Sequence, residues 1–205
     1  MRRLFIGLGV AGVAVAGALA QERHDVDRAL LEGTIKDSWQ QVAPDWQQRL
    51  VQDETQAACS RYRNNPPPAV AAAIAAREKA SLKYPADGKL MGDWKKGEKL
   101  AQSGYGMRFT DYPPRAENGG NCFACHQLDP KELSYGTLGP SLTAYGKARN
   151  FAPTEVKAVY ERIYNAQAAV PCANMPRLGA SGFLSLEQIA DLTAYVMSPE
   201  SPVNK

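Results

Sequence analysis

The sequence predicts an all-α protein in which a helical extension, residues 21–89, leads into a second helical unit, residues 90–205. Three observations carry that expectation. Apolar residues recur at helical spacing in the long segments, no stretch of any length alternates apolar and polar as a strand does, and Pro- and Gly-rich breaks separate the segments. With 44% hydrophobic and 22% charged residues, the chain has enough apolar side chain for a core.

Residues 1–20 stand apart from that core. Arg2 and Arg3 precede an apolar run from Leu4 to Ala20, which closes on Ala18-Leu19-Ala20. A basic start, an apolar middle and an A-x-A end are what a cleaved secretion signal needs. A retained anchor is the alternative, but 17 residues fall short of the ~20 that a helical span needs. Without residues 1–20 the formal charge falls from +3 to +1 and no basic block remains, so neither nucleic acid nor, after cleavage, a membrane is an expected partner. Export also leads into an oxidising compartment, where spare cysteines tend to pair.

The elements follow in order. Residues 25–63 look helical with an interruption at Pro44, because Leu30, Leu31, Ile35, Trp39 and Val42 recur at helical intervals. Asn64-Asn65-Pro66-Pro67-Pro68 breaks the pattern, since proline removes donors and favours extended backbone. Residues 69–84 are rich in the best helix formers. Residues 90–104 read as an amphipathic helix closed by Gly104. A Gly/Pro-rich loop occupies 134–150. Residues 152–167 read as a helix with Pro153 and Glu155 in its first turn, and 170–183 as irregular. The last helix, 185–200, opens at Ser185 and stops before Pro199. Trp94, Leu100, Leu192 and Tyr195 are the expected contacts between the 90–104 and 185–198 helices, although Trp94 could instead face a partner.

Between these helices lies Cys122-Phe123-Ala124-Cys125-His126, a C-x-x-C-H. Two thiols on one helical turn reach the two vinyl groups along one porphyrin edge and add across them as thioethers. The histidine that follows points at the iron, so the pattern is the attachment signature of covalent haem c. A thioredoxin-like dithiol is one competitor, but it wants a βαβ context and a low-pKa first cysteine. Zinc is another. It needs four ligands, and only Cys59, Cys172 and His24 remain among the soft donors, none in a second tight pair. The motif therefore predicts one covalently bound haem c on Cys122 and Cys125, with His126 as proximal iron ligand.

A sixth ligand is expected in an electron carrier, often methionine. Met175 lies 49 residues after His126 in an irregular segment, followed by Pro176, and is the candidate; Met107 is the next, and filler packing is the competing role for Met175. A ligating histidine also needs an acceptor for its other ring nitrogen. Pro140 offers a carbonyl without a competing N–H and is the candidate, with a plain turn as the alternative. Cys59 and Cys172 are left over and are expected to form a disulfide that ties the extension to the segment before Met175; free thiols, or one thiol facing a partner, are the alternatives. Arg177 is a weak candidate for a haem propionate or else a solvated charge, and Tyr145 and Arg149 stand similarly. His24 is a poor ligand candidate so near a terminus.

Three stretches, "GGNCFACHQ", "GTLGPSLTAYGKARN" and "MPRLGASGFLSLEQIADLTAYVMSPESPVN", together resemble the SoxX family, the monohaem cytochrome c subunit of the SoxAX complex of bacterial thiosulfate oxidation. The resemblance spans roughly residues 115–204, and residues 27–89 look like the longer subgroup with an N-terminal extension. It implies a class I cytochrome c fold, Cys122 and Cys125 as attachment points, His126 and Met175 as axial ligands, and a periplasmic location. It further implies a heterodimer with a SoxA-like subunit, where oxidative joining of thiosulfate to a cysteine of a SoxYZ-like carrier takes place, so that no catalytic residue is expected on this chain. The complex would be an L-cysteine S-thiosulfotransferase, and this chain its electron-accepting subunit, passing electrons to a diffusible cytochrome c. A free-standing periplasmic electron shuttle is the alternative, and a haem enzyme or gas sensor with an open iron position a third.

Overall fold

The computed structural model describes residues 25–42, 44–112 and 114–205. The expected secretion signal and His24 lie outside the described residues. All the described secondary structure is helical: α1 (Arg28–Ser38), α2 (Pro44–Gln47), α3 (Glu54–Arg61), α4 (Pro68–Ala80), α5 (Trp94–Gln102), α6 (Tyr145–Ala148), α7 (Pro153–Asn165) and α8 (Leu186–Met197), with short 3₁₀ turns between them.

Helix ends follow local chemistry. Asp93 caps α5 by accepting from Lys95 N, so this helix starts at Trp94 rather than at 90, and it ends at Gln102 before Gly104. Ser185 caps α8 and Gln188 reaches back to the Ser185 backbone, a reciprocal capping box. Asp53 and Gln56 do the same for α3. Proline occupies the first turn of α4 and of α7, where a missing N–H costs nothing.

α5 crosses α8 at glycine. A Cβ on Gly97 would collide with the Asp191 carbonyl oxygen and lie 2.9 Å from Tyr195 Cβ, so only glycine permits so close a crossing. Gly92 N donates to Ala190 O (3.0 Å) and Asp93 N to Asp191 Oδ1 (2.7 Å), which ties the start of α5 to the same turn of α8. α7 lies along the other side of α8, and Leu100, Tyr160, Tyr164, Ile189, Leu192 and Met197 fill the shared core. Leu192 and Tyr195 are buried, as expected of the α5–α8 contact, whereas Trp94 is only half-buried at the start of α5.

Two parts of the chain differ from the sequence reading. The stretch 134–150 is not all loop: Tyr145–Ala148 forms α6. The C-terminal Ser201-Pro202-Val203-Asn204 turns back onto it, with Asn204 Nδ2 donating to Val196 O and Ser198 O, and Asn204 Oδ1 accepting from Lys147 N. Residues 25–63 are broken into α1, α2, a 3₁₀ turn and α3 rather than one interrupted helix. The apolar stripe of α1 buries no residue, and Leu30 stays 69% exposed. Periodicity foresees the helix but not a surface for it to cover.

α3 and α4 instead pack on the far end of α7 and the segment after it. Ile74, Cys59 and Cys172 form a small second core there, and the Cys59–Cys172 disulfide is present, with Cα atoms 5.4 Å apart.

Candidate haem attachment site

The C-x-x-C-H sits on a single tight turn. Asn121 adopts a left-handed conformation (φ 52°), which starts the 3₁₀ turn Cys122–Ala124, and both Cys125 N and His126 N donate to Cys122 O. Cys122 and Cys125 are free and half-buried, one turn apart. The Cys122 thiol lies beside Gly120 on the main core, and burial pushes it up to about 12. A dithiol of the thioredoxin kind needs the opposite shift. Among the described residues no three His, Cys, Asp or Glu side chains converge on one point, as a zinc centre requires.

The loop that follows folds back along this turn residue by residue. Gly136 N donates to Phe123 O, Gly139 N to Cys125 O and Leu142 N to Gln127 O, each at 2.8 Å. Two glycines make this possible: a Cβ on Gly136 would collide with Ala124 O, and one on Gly139 with the His126 ring. Pro140 then follows with its carbonyl oxygen 2.7 Å from His126 Nδ1. A carbonyl can only accept, so Nδ1 carries the proton and Nε2 keeps its lone pair, the tautomer a metal-binding imidazole needs. Leu138, the residue before Gly139, is 90% exposed and adds apolar surface to this loop.

Met175 is half-buried against the main core, in the irregular segment between Cys172 and Leu178. Met197 is fully buried inside α8, while Met91 and Met107 pack partly on the same core. Besides the core packing of Met175 and Leu178, residues 53–78 hold the segment at several points. Cys172 is bridged to Cys59, and Asn64 Nδ2 donates to Asn174 Oδ1 (3.2 Å). Arg177 is not a solvated charge: its guanidinium pairs with Asp53 at the start of α3 and with Glu78 Oε2 (3.3 Å) on α4.

Glu78 is the centre of that cluster and is only 5% exposed. It accepts from Thr55 Oγ1, from Asn165 Nδ2 (2.7 Å) and from Arg177. Burial alone would raise its carboxyl, but the Thr55 and Asn165 hydrogen bonds and the Arg177 charge outweigh burial and hold it below the usual carboxylate range. Asp53 is lowered in the same way: burial opposes, while the Gln56 backbone N–H and Arg177 prevail. None of these residues is marked by local pattern. Glu78 sits in an alanine-rich helix where a lone acid reads as a surface charge, and its three donors come from residues 55, 165 and 177. Tyr145 and Arg149 also find protein partners, with the guanidinium 3.5 Å over the Tyr145 ring and paired to Glu155.

Residues 95–199 match the Cytochrome c family, over half of the chain. The chain belongs to the cytochrome c family. A protein of Aquifex aeolicus (strain VF5) described as an uncharacterized lipoprotein is 38% identical over 203 residues, which cover 98% of this chain and 96% of that protein. Family membership makes covalently attached haem c the cofactor and electron transfer the general function. The helical fold without strands among the described residues is that of an all-α cytochrome c. The residues fit the group: two free thiols on one turn, an imidazole with Nδ1 committed to a carbonyl, and glycine-lined backbone pressed on the ring. Among the described residues no helix is long and apolar enough to cross a membrane.

Proposed function

We propose that this chain is a monohaem electron-transfer subunit of a periplasmic SoxAX-like complex, receiving electrons released when thiosulfate is joined oxidatively to a carrier-protein cysteine and relaying them to a diffusible cytochrome c. The observation that carries the electron-transfer part is the His126–Pro140 contact beside two free cysteines on one turn. Bound there, haem c supplies a one-electron iron centre. Cys122 and Cys125 would hold it covalently, His126 Nε2 would ligate the iron, and Pro140 O keeps the Nδ1 proton in place. Met175 would supply a thioether to the iron, which would raise the potential and disfavour added ligands. The proposed unit for this work is residues 90–205, with 21–89 as an extension to it.

The thiosulfate part rests on the motif order from C-x-x-C-H through G-P-S-L-x-x-Y-G-K and M-P-R-x-G to the S-P-V-N end. The sulfur chemistry is placed on a SoxA-like partner. The relative's description as a lipoprotein supports an extracytoplasmic location.

Expression with a haem-attachment system tests the first part: denatured protein should retain haem, and Cys122→Ala/Cys125→Ala should lose it. Co-expression with a SoxA-like subunit tests the second. A stable heterodimer whose haem is reduced on adding thiosulfate and the carrier supports the complex, and a monomer that ignores both supports the free shuttle.

A further inference from the structure

We propose that residues 53–78 of the extension are a brace that positions Met175, acting through the three side chains that flank it. This inference rests on the reading of Met175 as an iron ligand. Three observations converge. Cys172, three residues before Met175, is covalently joined to Cys59 of α3. Asn174, immediately before it, accepts from Asn64 in the turn after α3. Arg177, two residues after it, is held between Asp53 at the cap of α3 and Glu78 on α4. Each anchor is a different kind of bond, each reaches a different point of the extension, and together they bracket Met175 on both sides.

The anchors are themselves fixed. Asp53 accepts from Gln56 N (2.8 Å) while it holds Arg177, so its carboxylate is oriented by the helix cap. Glu78 is oriented by Thr55 and by Asn165 at the end of α7, and the fully buried Asn165 ties the cluster to the main core. Cys172 has a left-handed backbone (φ 60°), a conformation rare for a side chain of this size, which the bridge to the extension holds in place. Among the described residues, the backbone-to-backbone bonds of 172–177 run only to its flanks, with Ala173 N donating to Val170 O (3.0 Å) and Arg177 O accepting from Ser181 N (3.0 Å), and the segment has no helical turn of its own. A thioether ligand is weak and competes with solvent and added ligands, so the occupancy of the iron site depends on how firmly this loop is held. Asp53, Asn64, Glu78 and Arg177 are thus positioning residues: none is an iron ligand.

The test uses holoprotein made with a haem-attachment system and reads two properties that a general loss of stability does not move in a folded sample. One is the weak far-red charge-transfer absorption of oxidised, thioether-ligated haem; the other is carbon monoxide binding by the reduced form. Cys59→Ser/Cys172→Ser and Arg177→Ala should lose most of the far-red band and bind carbon monoxide about tenfold more tightly, because apparent affinity scales with the open fraction of the iron. Asn64→Gly suits a position with φ 61° and removes only one anchor, so it should fold normally and shift both readouts less, in the same direction. Arg177→Lys should recover part of the effect by restoring the charge between Asp53 and Glu78. The brace is overturned if Arg177→Ala and Asn64→Gly both keep the wild-type band and carbon monoxide affinity. Met175→Ala separates the two ideas. If it retains the band, the ligand assignment fails; if it abolishes the band while the anchor variants do not, only the brace fails.

Discussion

The segment that carries His126 and the segment that carries Met175, proposed as the two sides of the haem site, are held in different ways. The side that carries His126 is built within residues 119–142, where three backbone hydrogen bonds at 2.8 Å lay the glycine loop along the C-x-x-C-H turn and Pro140 O meets the imidazole. The segment that carries Met175 has little structure of its own and is fastened by a disulfide, an amide pair and a buried ion pair to helices more than 90 residues earlier in the chain. Local contacts cost little chain entropy and tolerate change elsewhere. Distant ones couple the loop to whatever happens to the extension. The attachment side should therefore survive damage to α3 and α4, and the methionine side should not.

Removing the bridge is the largest expected perturbation. By loop entropy, a link across a sequence separation of 113 contributes about 5 kcal/mol, and Cys59→Ser/Cys172→Ser should lose most of that in denaturant unfolding of the holoprotein. Next is Arg177→Ala. It removes the nearer, hydrogen-bonded cation of the 5%-exposed Glu78 carboxylate and leaves only Arg77, whose Nε lies 3.7 Å away, so it should cost roughly 1.5–3 kcal/mol, read the same way. Gly139→Ala probes the opposite side: the new methyl group collides with the His126 ring, so about 1–3 kcal/mol should be lost. That loss should leave the Met175 segment undisturbed, which hydrogen exchange over residues 170–180 can check.

Acid separates the two sides without mutation. Glu78 and Asp53 are both held below the usual carboxylate range, so their contribution is complete above the unfolded-state value of about 4 and fades as pH falls through the lower folded values. The far-red band should weaken below about pH 4 before covalent haem or helix content changes, whereas the three backbone bonds of the attachment loop contain no titrating group. Glu78→Gln should flatten part of that acid response. The smallest effect belongs to Glu54→Ala, which breaks an exposed pair with Arg77 on the rim of the same helices. Its side chain is 81% exposed, so the change in stability should stay within about 1 kcal/mol. A large effect there would mean that the whole α3–α4 surface, and not its buried polar centre, holds the loop.

The same contrast explains what could be read before any coordinates. Cys122, Cys125, His126 and Pro140 lie within 19 consecutive residues, and each chemical demand of the motif is met by a neighbour whose type is visible in the sequence. The helices α7 and α8 are equally legible because proline and serine mark their starts and their apolar spacing is regular, and α4 is legible from its run of strong helix formers. The leftover pair Cys59 and Cys172 pointed across the chain by parity alone. What stayed hidden is polar and distant. Arg177, two residues after Met175, suggests a propionate, and only the packing of α4 on the end of α7 reveals Glu78 as its partner. The α6 helix was missed because Gly146 interrupts a four-residue element that is stabilised by the returning C-terminal Asn204 rather than by its own propensity. Likewise the apolar spacing of α1 predicts its helix, yet spacing carries no information about what, if anything, it covers.

Hydrogen exchange of the holoprotein, compared between wild type and Cys59→Ser/Cys172→Ser, tests the division most directly. Amides of residues 54–80 and 170–180 should exchange faster in the variant while those of 119–142 keep their protection. Equal acceleration of both regions, or none in either, would contradict the account.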